Sequence, residues 1–266
     1  MYSIETPHFL IADGHVRPRL PGAVSNDLTD HIAAELVPLG LVPDGAAFER
    51  VFVDAVLSAQ PDPDRAWAAF YANTMRRLRH GDDAGTGSVA TFARIYERAL
   101  SLVRGTTVLD VGCCFGFLPM LAAEQDPRLK VIGTDLVPAA AALAGRICRG
   151  RGGRVRFAAA DLMNLPAGDK AVDTVLAIHV LEHLPAGMTP LALAELRRVA
   201  RQRVVIAVPL EAVPDPVFGH LQAFDLARLA LVSPETPGWS CAVHAADGGW
   251  LVLDREPARS ARPPLS

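Results

Sequence analysis

Cysteine is scarce in this chain: Cys113, Cys114, Cys148 and Cys241 among 266 residues, with no C-x-x-C pair. That excludes a disulfide framework and fits a reducing cytoplasm, where the protein is expected. No stretch approaches the ~20 uninterrupted apolar residues that a spanning helix needs, so no membrane insertion is expected. The opening MYSIETPHFLIADGHVRP has no basic n-region and no long apolar run, and does not read as a signal peptide. Neither charge is in excess, with 26 Lys and Arg against 29 Asp and Glu. A polyanion binder would show a basic face, so no nucleic-acid partner is expected. The local basic clusters, Met75 to Gly81 and Gly145 to Arg156, read as solvated faces. No repeat of fixed period is present. What is abundant is apolar: half the residues, enough for a sizeable core.

Two rhythms divide the chain. Residues 1–104 read as mostly helical, a cap or substrate segment. TDHIAAELVPLGLV (Thr29 to Val42) opens on a Thr/Asp cap with apolar residues at helical spacing, and three more such stretches follow between Asp, Gly or Pro punctuation. At Gly105 the pattern changes to short apolar runs, TTVLDVG, KVIGTDL, VRFAAADL, VDTVLAIHV and RVVIAVPL, separated by helical stretches such as PAAAALAGRICRG. Alternating strand and helix predicts a doubly wound, mostly parallel sheet. WSCAVHA and WLVLDRE, joined by ADGG, add an antiparallel hairpin and bring the sheet to seven strands. This core spans 105–257, and the tail 258–266 reads as disordered.

Ligands of open parallel sheets bind at the carboxyl ends of the strands. The first strand ends in Asp110-Val-Gly112-Cys113-Cys114-Phe-Gly116 and runs into a helix, whose N-terminus offers free N–H groups. Spacing is D-x-G-x-x-x-G, not the G-x-G-x-x-G of a dinucleotide site. The second strand ends in Asp135, placed to accept from ribose hydroxyls. The third strand ends in AADL, with Asp161 placed to meet an adenine amino group. Each acid alone is as readily a helix cap; three in succession after a glycine turn are more specific.

This constellation resembles the class I S-adenosylmethionine-dependent methyltransferases. VLDVGCCFG, VIGTDL, AAADLMNLP and VDTVLAIHVLEHLP correspond to four motifs in order, across Gly105 to Pro257. The resemblance implies S-adenosylmethionine (SAM) as cofactor. It implies methionine and backbone contacts at Asp110, Gly112, Cys113 and Gly116, ribose at Asp135, and adenine near Leu136, Asp161 and Leu162. Cys114 departs from the pattern, since many members have glycine there.

HVLEHLP, His179 to Pro185, also matches the H-x-x-E-H of inverted zinc peptidases. A peptidase would need it inside a longer helix, whereas VDTVLAI before it reads as strand. Two readings stay open. In one, Glu182 and His183 hold the loop under the cofactor, as E-H-L does in many class I members. In the other, Val180 to Leu184 form a helical turn with His179, Glu182 and His183 on one face. Some O-methyltransferases of this fold carry a similar E-x-x-E-H turn plus a later histidine, here His220, and bind a divalent cation. His179 replaces the first glutamate, which shifts preference toward a softer ion. An alcohol becomes a good nucleophile when a cation lowers its pKa or a histidine takes its proton, so His179, His183 and His220 are the catalytic candidates.

Trp67, Phe70 and Tyr71 have the spacing of either acceptor-lining residues or a core stripe. VGCCFGFLPMLA with PDPVFGHLQAFD resembles the methyltransferases associated with mycofactocin, a peptide-derived redox cofactor bearing a glucose chain. That likeness implies a small-molecule or oligosaccharide acceptor, methylated on a glucose 2-hydroxyl. The alternatives are O- or C-methylation of a phenol or quinone, and a SAM-binding protein without turnover.

Overall fold

The computed structural model describes residues 3–80, 87–233 and 236–257. The expected tail 258–266 lies outside them. The first element is unlike the helical reading of the N-terminal segment. β1 (Ser3–Glu5), β2 (Phe9–Ala12) and β3 (His15–Pro18) form a three-stranded antiparallel sheet. β2 and β3 are joined by Asp13 and Gly14 at φ 52° and 79°, the left-handed pair of a tight hairpin turn. Four helices follow: α1 (Leu28–Glu35), α2 (Gly45–Ser58), α3 (Pro63–His80) and α4 (Ser88–Ser101). The Asp44 carboxylate caps α2 by accepting from Ala47 N–H at 2.7 Å.

The core alternates strand and helix: β4 (Thr107–Val111), α5 (Phe117–Gln125), β5 (Lys130–Asp135), α6 (Pro138–Gly150), β6 (Arg156–Ala159), β7 (Val172–Ile178), α7 (Thr189–Val199), β8 (Ala200–Val208), α8 (Leu226–Leu231), β9 (Trp239–Ala245) and β10 (Gly249–Arg255). The sheet has seven strands in the order β6-β5-β4-β7-β8-β10-β9. Its first five strands are parallel, and β10 runs antiparallel to both β8 and β9. Strand order therefore reverses between β4 and β7, and in open sheets of this kind ligands bind at such a switch point.

Every residue of β7 is buried, as a strand covered on both faces must be. Leu176 and Ile178 face one core, shared with α2 to α6; Val175 and Ala177 face the other, shared with α7. Phe70 and Tyr71 are fully buried in the first core, so the stripe on α3 packs inward; Trp67 is half-buried against it. Below the strands, Gly105 takes φ +74°, and an added Cβ would lie 2.4 Å from Asp173. That close approach lets Asp173 accept from the N–H groups of Thr106 and Thr107 at 2.9 and 3.0 Å.

Candidate active site

At the carboxyl end of β4 the chain turns sharply before α5. Gly112 and Gly116 both take left-handed conformations, φ 69° and 73°. A Cβ on Gly112 would meet Val180 at 2.6 Å, and one on Gly116 would meet Phe157 at 2.5 Å. Cys114 takes φ +48° without being glycine, which carries a backbone cost of ~1–2 kcal/mol. Its N–H donates to Asp135 Oδ2 at 2.7 Å, and Val137 N–H donates to the other carboxylate oxygen at 2.9 Å. Asp135 thus fastens the glycine turn to the end of β5.

Asp110 lies in β4, almost fully buried. Burial, and secondarily the charge of Asp135, push its carboxyl well above the usual carboxylate range. Beside these acids Leu136 is 69% exposed, an apolar surface with nothing packed on it, while Leu162 is buried. Asp161 does not end β6; it lies two residues beyond and caps a short 3₁₀ turn by accepting from Met163 N–H at 2.8 Å. Cys113 is buried at the base of the turn, its thiol pushed up by desolvation and by Asp110.

These residues suit SAM. A cationic ammonium and sulfonium would relieve two mutually repelling carboxylates, and a ribose diol and adenine would meet Asp135 and exposed Leu136. A neighbour of these residues gives no signal of its place in the sequence. Burial raises the phenol pKa of Tyr96 in α4, with a smaller push from the nearby Asp110. Its helical stripe marks it as inward-facing, but nothing in the spacing says that the inward neighbour is the β4 turn. Phe92, one turn earlier, packs its ring 5.1 Å from that of His179.

The turn after β7 differs from the single helical turn expected. His179 takes φ +56°, and its N–H donates to Ala207 O on β8 at 2.8 Å. Only Leu181–His183 form a 3₁₀ turn. His179 still approaches the glutamate: its Nδ1 lies 3.5 Å from Glu182 Oε1. Glu182 is fully buried, and among the described residues neither carboxylate oxygen has a hydrogen-bond partner; the buried Nε2 of His179 has none either. Desolvation pushes Glu182 up to about 8 and His179 down to about 4.

A second loop closes on this turn. Asp215 caps a 3₁₀ turn over Pro216–Phe218. Leu221 N–H then donates to Glu182 O at 2.8 Å, and Gln222 Nε2 donates to Leu181 O, Leu184 O and Thr189 Oγ1. The stapling sets His220 against His183, ring centroids 5.1 Å apart. His183 directs Nδ1 at Gly219 O, 3.2 Å away, and His220 directs Nδ1 at Glu211 Oε2, 2.9 Å away. One atom from each of Glu182, His183 and His220 falls within 4.8 Å of the others, and His179 is not part of that cluster. From the N-terminal segment, Phe48 of α2 packs edge-on against Phe218, so α2 borders the same rim.

Residues 108–203 match the methyltransferase domain family. The chain is 32% identical over 165 residues to a ribosomal protein L11 methyltransferase of Geobacter sulfurreducens, covering 62% of this chain and 52% of that protein. It is 38% identical over 68 residues to a demethylmenaquinone methyltransferase of Thermus thermophilus, covering 26% of this chain and 31% of that one. The chain therefore spans about a third to a half of the length of these curated relatives. Among solved structures, a Pyrococcus horikoshii protein superposes with TM-score 0.53 at 17% identity, over 64% of this chain and 92% of that one. The magnesium protoporphyrin IX methyltransferase of Synechocystis with bound SAM gives TM-score 0.50 at 17% identity, over 70% and 91%. Residues 108–203, from β4 into β8, thus match a methyltransferase domain, within a seven-stranded sheet of strand order β6-β5-β4-β7-β8-β10-β9.

Proposed function

We propose that this protein transfers a methyl group from SAM to a hydroxyl of a small molecule or sugar. One observation carries the reading: Asp135 and the Gly112–Gly116 turn, at the carboxyl ends of β5 and β4, lie beside a histidine-rich rim that follows the neighbouring strand, β7. Asp110, Gly112, Cys113 and Gly116 would hold the methionine portion, Asp135 the ribose, and Leu136, Asp161 and Leu162 the adenine. Bound there, the cofactor supplies an electrophilic methyl on a sulfonium.

The residues of the chain do the rest. With the cofactor bound, the acceptor oxygen would form its bond to the methyl carbon as the carbon–sulfur bond breaks, the electron pair leaving on sulfur. In-line placement accounts for much of the acceleration, so the rigid joint between Asp135 and Cys114 matters as much as any base. The hydroxyl proton passes to an imidazole nitrogen. His179, His183 and His220 make up the acceptor side.

Within this class we favour a sugar acceptor, the glucose 2-hydroxyl of the mycofactocin oligosaccharide, on the likeness of VGCCFGFLPMLA and PDPVFGHLQAFD. A phenol or quinone acceptor is the second reading. It is favoured by four large apolar side chains exposed on the rim loop: Leu210, Val213, Phe218 and Leu221. Incubation with methyl-labelled SAM and a panel of glucans, glycosylated cofactor precursors, quinols and small RNAs separates these. Label on a glucan or glycosylated precursor supports the first, and label on a quinol the second. Stoichiometric SAM binding with no transfer to any acceptor supports a cofactor-binding protein without turnover.

A further inference from the structure

We infer that Glu182, His183 and His220 form a binding site for one divalent first-row transition-metal ion. Three independent features of the geometry converge on it. A glutamate that is 0% exposed, with neither carboxylate oxygen hydrogen-bonded among the described residues, is costly, because an ionised carboxylate out of water needs a counter-charge or hydrogen-bond donors. A cation between Glu182 and the histidines supplies that charge. Both histidines, moreover, are fixed in the same sense. His220 Nδ1 engages the Glu211 carboxylate and His183 Nδ1 engages the Gly219 carbonyl, so each ring has its Nδ1 proton held and its Nε2 lone pair left free. Metal-ligating histidines are oriented in this way by an outer carboxylate or carbonyl. Finally, the loop that carries His220 is held onto the Glu182 turn by main-chain bonds to Glu182 O, so the donors are held together before any ion arrives.

The donor set selects the ion. Two imidazoles and one carboxylate suit Zn²⁺, Co²⁺, Mn²⁺ or Fe²⁺; Mg²⁺ prefers oxygen ligands throughout. Three protein ligands leave coordination positions open, as in sites that also take substrate. The set also differs from the sequence expectation: His179 lies beyond the cluster, and among the described residues its buried Nε2 has no hydrogen-bond partner, which separates an ion-holding group from a base. That the open positions receive an acceptor hydroxyl rests on the methyl-transfer reading; the existence of the ion site does not.

Titration of the chelator-stripped full chain with Zn²⁺, Co²⁺, Mn²⁺ and Mg²⁺, without cofactor or acceptor, tests the site directly. Uptake of one Zn²⁺ or Co²⁺ per chain is expected, with a Co²⁺ absorption spectrum showing nitrogen ligation and no displacement by Mg²⁺. Glu182→Gln and His220→Ala should abolish stoichiometric uptake. Glu211→Gln, which touches no ion, should weaken it about 10–100-fold. The exposed His183, changed to Gln, gives a further variant should a buried substitution fail to fold. Glu182→Gln should also raise the melting temperature of the ion-free protein, because it removes an unpaired buried carboxylate. A folded wild-type chain that takes up no ion, or folded variants that bind as the wild type does, would overturn the proposal. Because SAM binding is measured separately, failure of the ion site leaves the methyl-transfer reading testable, and the reverse also holds.

Discussion

Asp135 Oδ2 accepts the backbone N–H of Cys114 at 2.7 Å, and through that bond the end of β5 fixes the turn that leaves β4. The bond holds a non-glycine residue at φ +48°. The left-handed conformation costs an L-residue ~1–2 kcal/mol, of which glycine's greater chain entropy takes back ~0.5–1. Cys114→Gly should therefore stabilise the protein by ~1 kcal/mol and raise its melting temperature by ~2 °C. Cys114→Val should lower it. Calorimetry on the two variants checks the pair, and a Gly variant that melts lower than wild type would contradict the reading.

His179 is expected to matter for turnover and little for cofactor affinity. His179→Ala should reduce kcat by ~10²–10⁴, the range for loss of a general base, while SAM affinity changes by no more than a few-fold. The separation rests on position: His179 lies after β7, beside Phe92, whereas the acids proposed to hold the cofactor lie on β4 and β5. Equal loss of kcat and affinity would instead assign His179 a purely structural part.

Acid should unfold the protein in part through Asp173. Its carboxylate accepts from Thr106 N, Thr107 N and Thr107 Oγ1, and Arg201 Nη1 donates to its other oxygen at 2.5 Å. Burial opposes its ionisation, but these hydrogen bonds outweigh burial and hold its pKa well below the usual value near 4. A folded-state pKa below the unfolded one gives stability that is full above about pH 4 and is lost as pH falls toward the folded value. Asp173→Asn should cost ~2–3 kcal/mol at pH 7, the range of hydrogen bonds to a charged group. It should also flatten the fall in stability below pH 4. Urea unfolding of both proteins at pH 7 and across the acid range measures the two effects.

Much of the core was legible because its signals are local. The boundaries of α6 follow from Pro138 at its first turn and the apolar spacing behind it, and the β9–β10 hairpin follows from ADGG between two apolar runs. The N-terminal sheet carries one local signal, the two-residue hairpin pair Asp13-Gly14; the strands it joins have four residues each, too short for alternation to stand out. The acids at the strand ends could be read from the motif, but the capping role of Asp161 depends on β6 stopping at Ala159. The rim was least legible. Glu211 and Gly219 act on His220 and His183 only because a loop closes across the turn after β7, and the left-handed backbone at His179 comes from its bond to Ala207 on a neighbouring strand.

The central claim, a SAM site at the ends of β4 and β5 serving methyl transfer, is tested most directly by equilibrium dialysis of labelled SAM against wild type and Asp135→Ala. Wild type should bind one SAM per chain, and Asp135→Ala, which loses the ribose partner and frees the Cys114 turn, should bind at least ~10-fold more weakly, a difference of ~1.4 kcal/mol. A folded wild-type protein that binds no SAM, or a folded Asp135→Ala that binds it with undiminished affinity, would contradict the account.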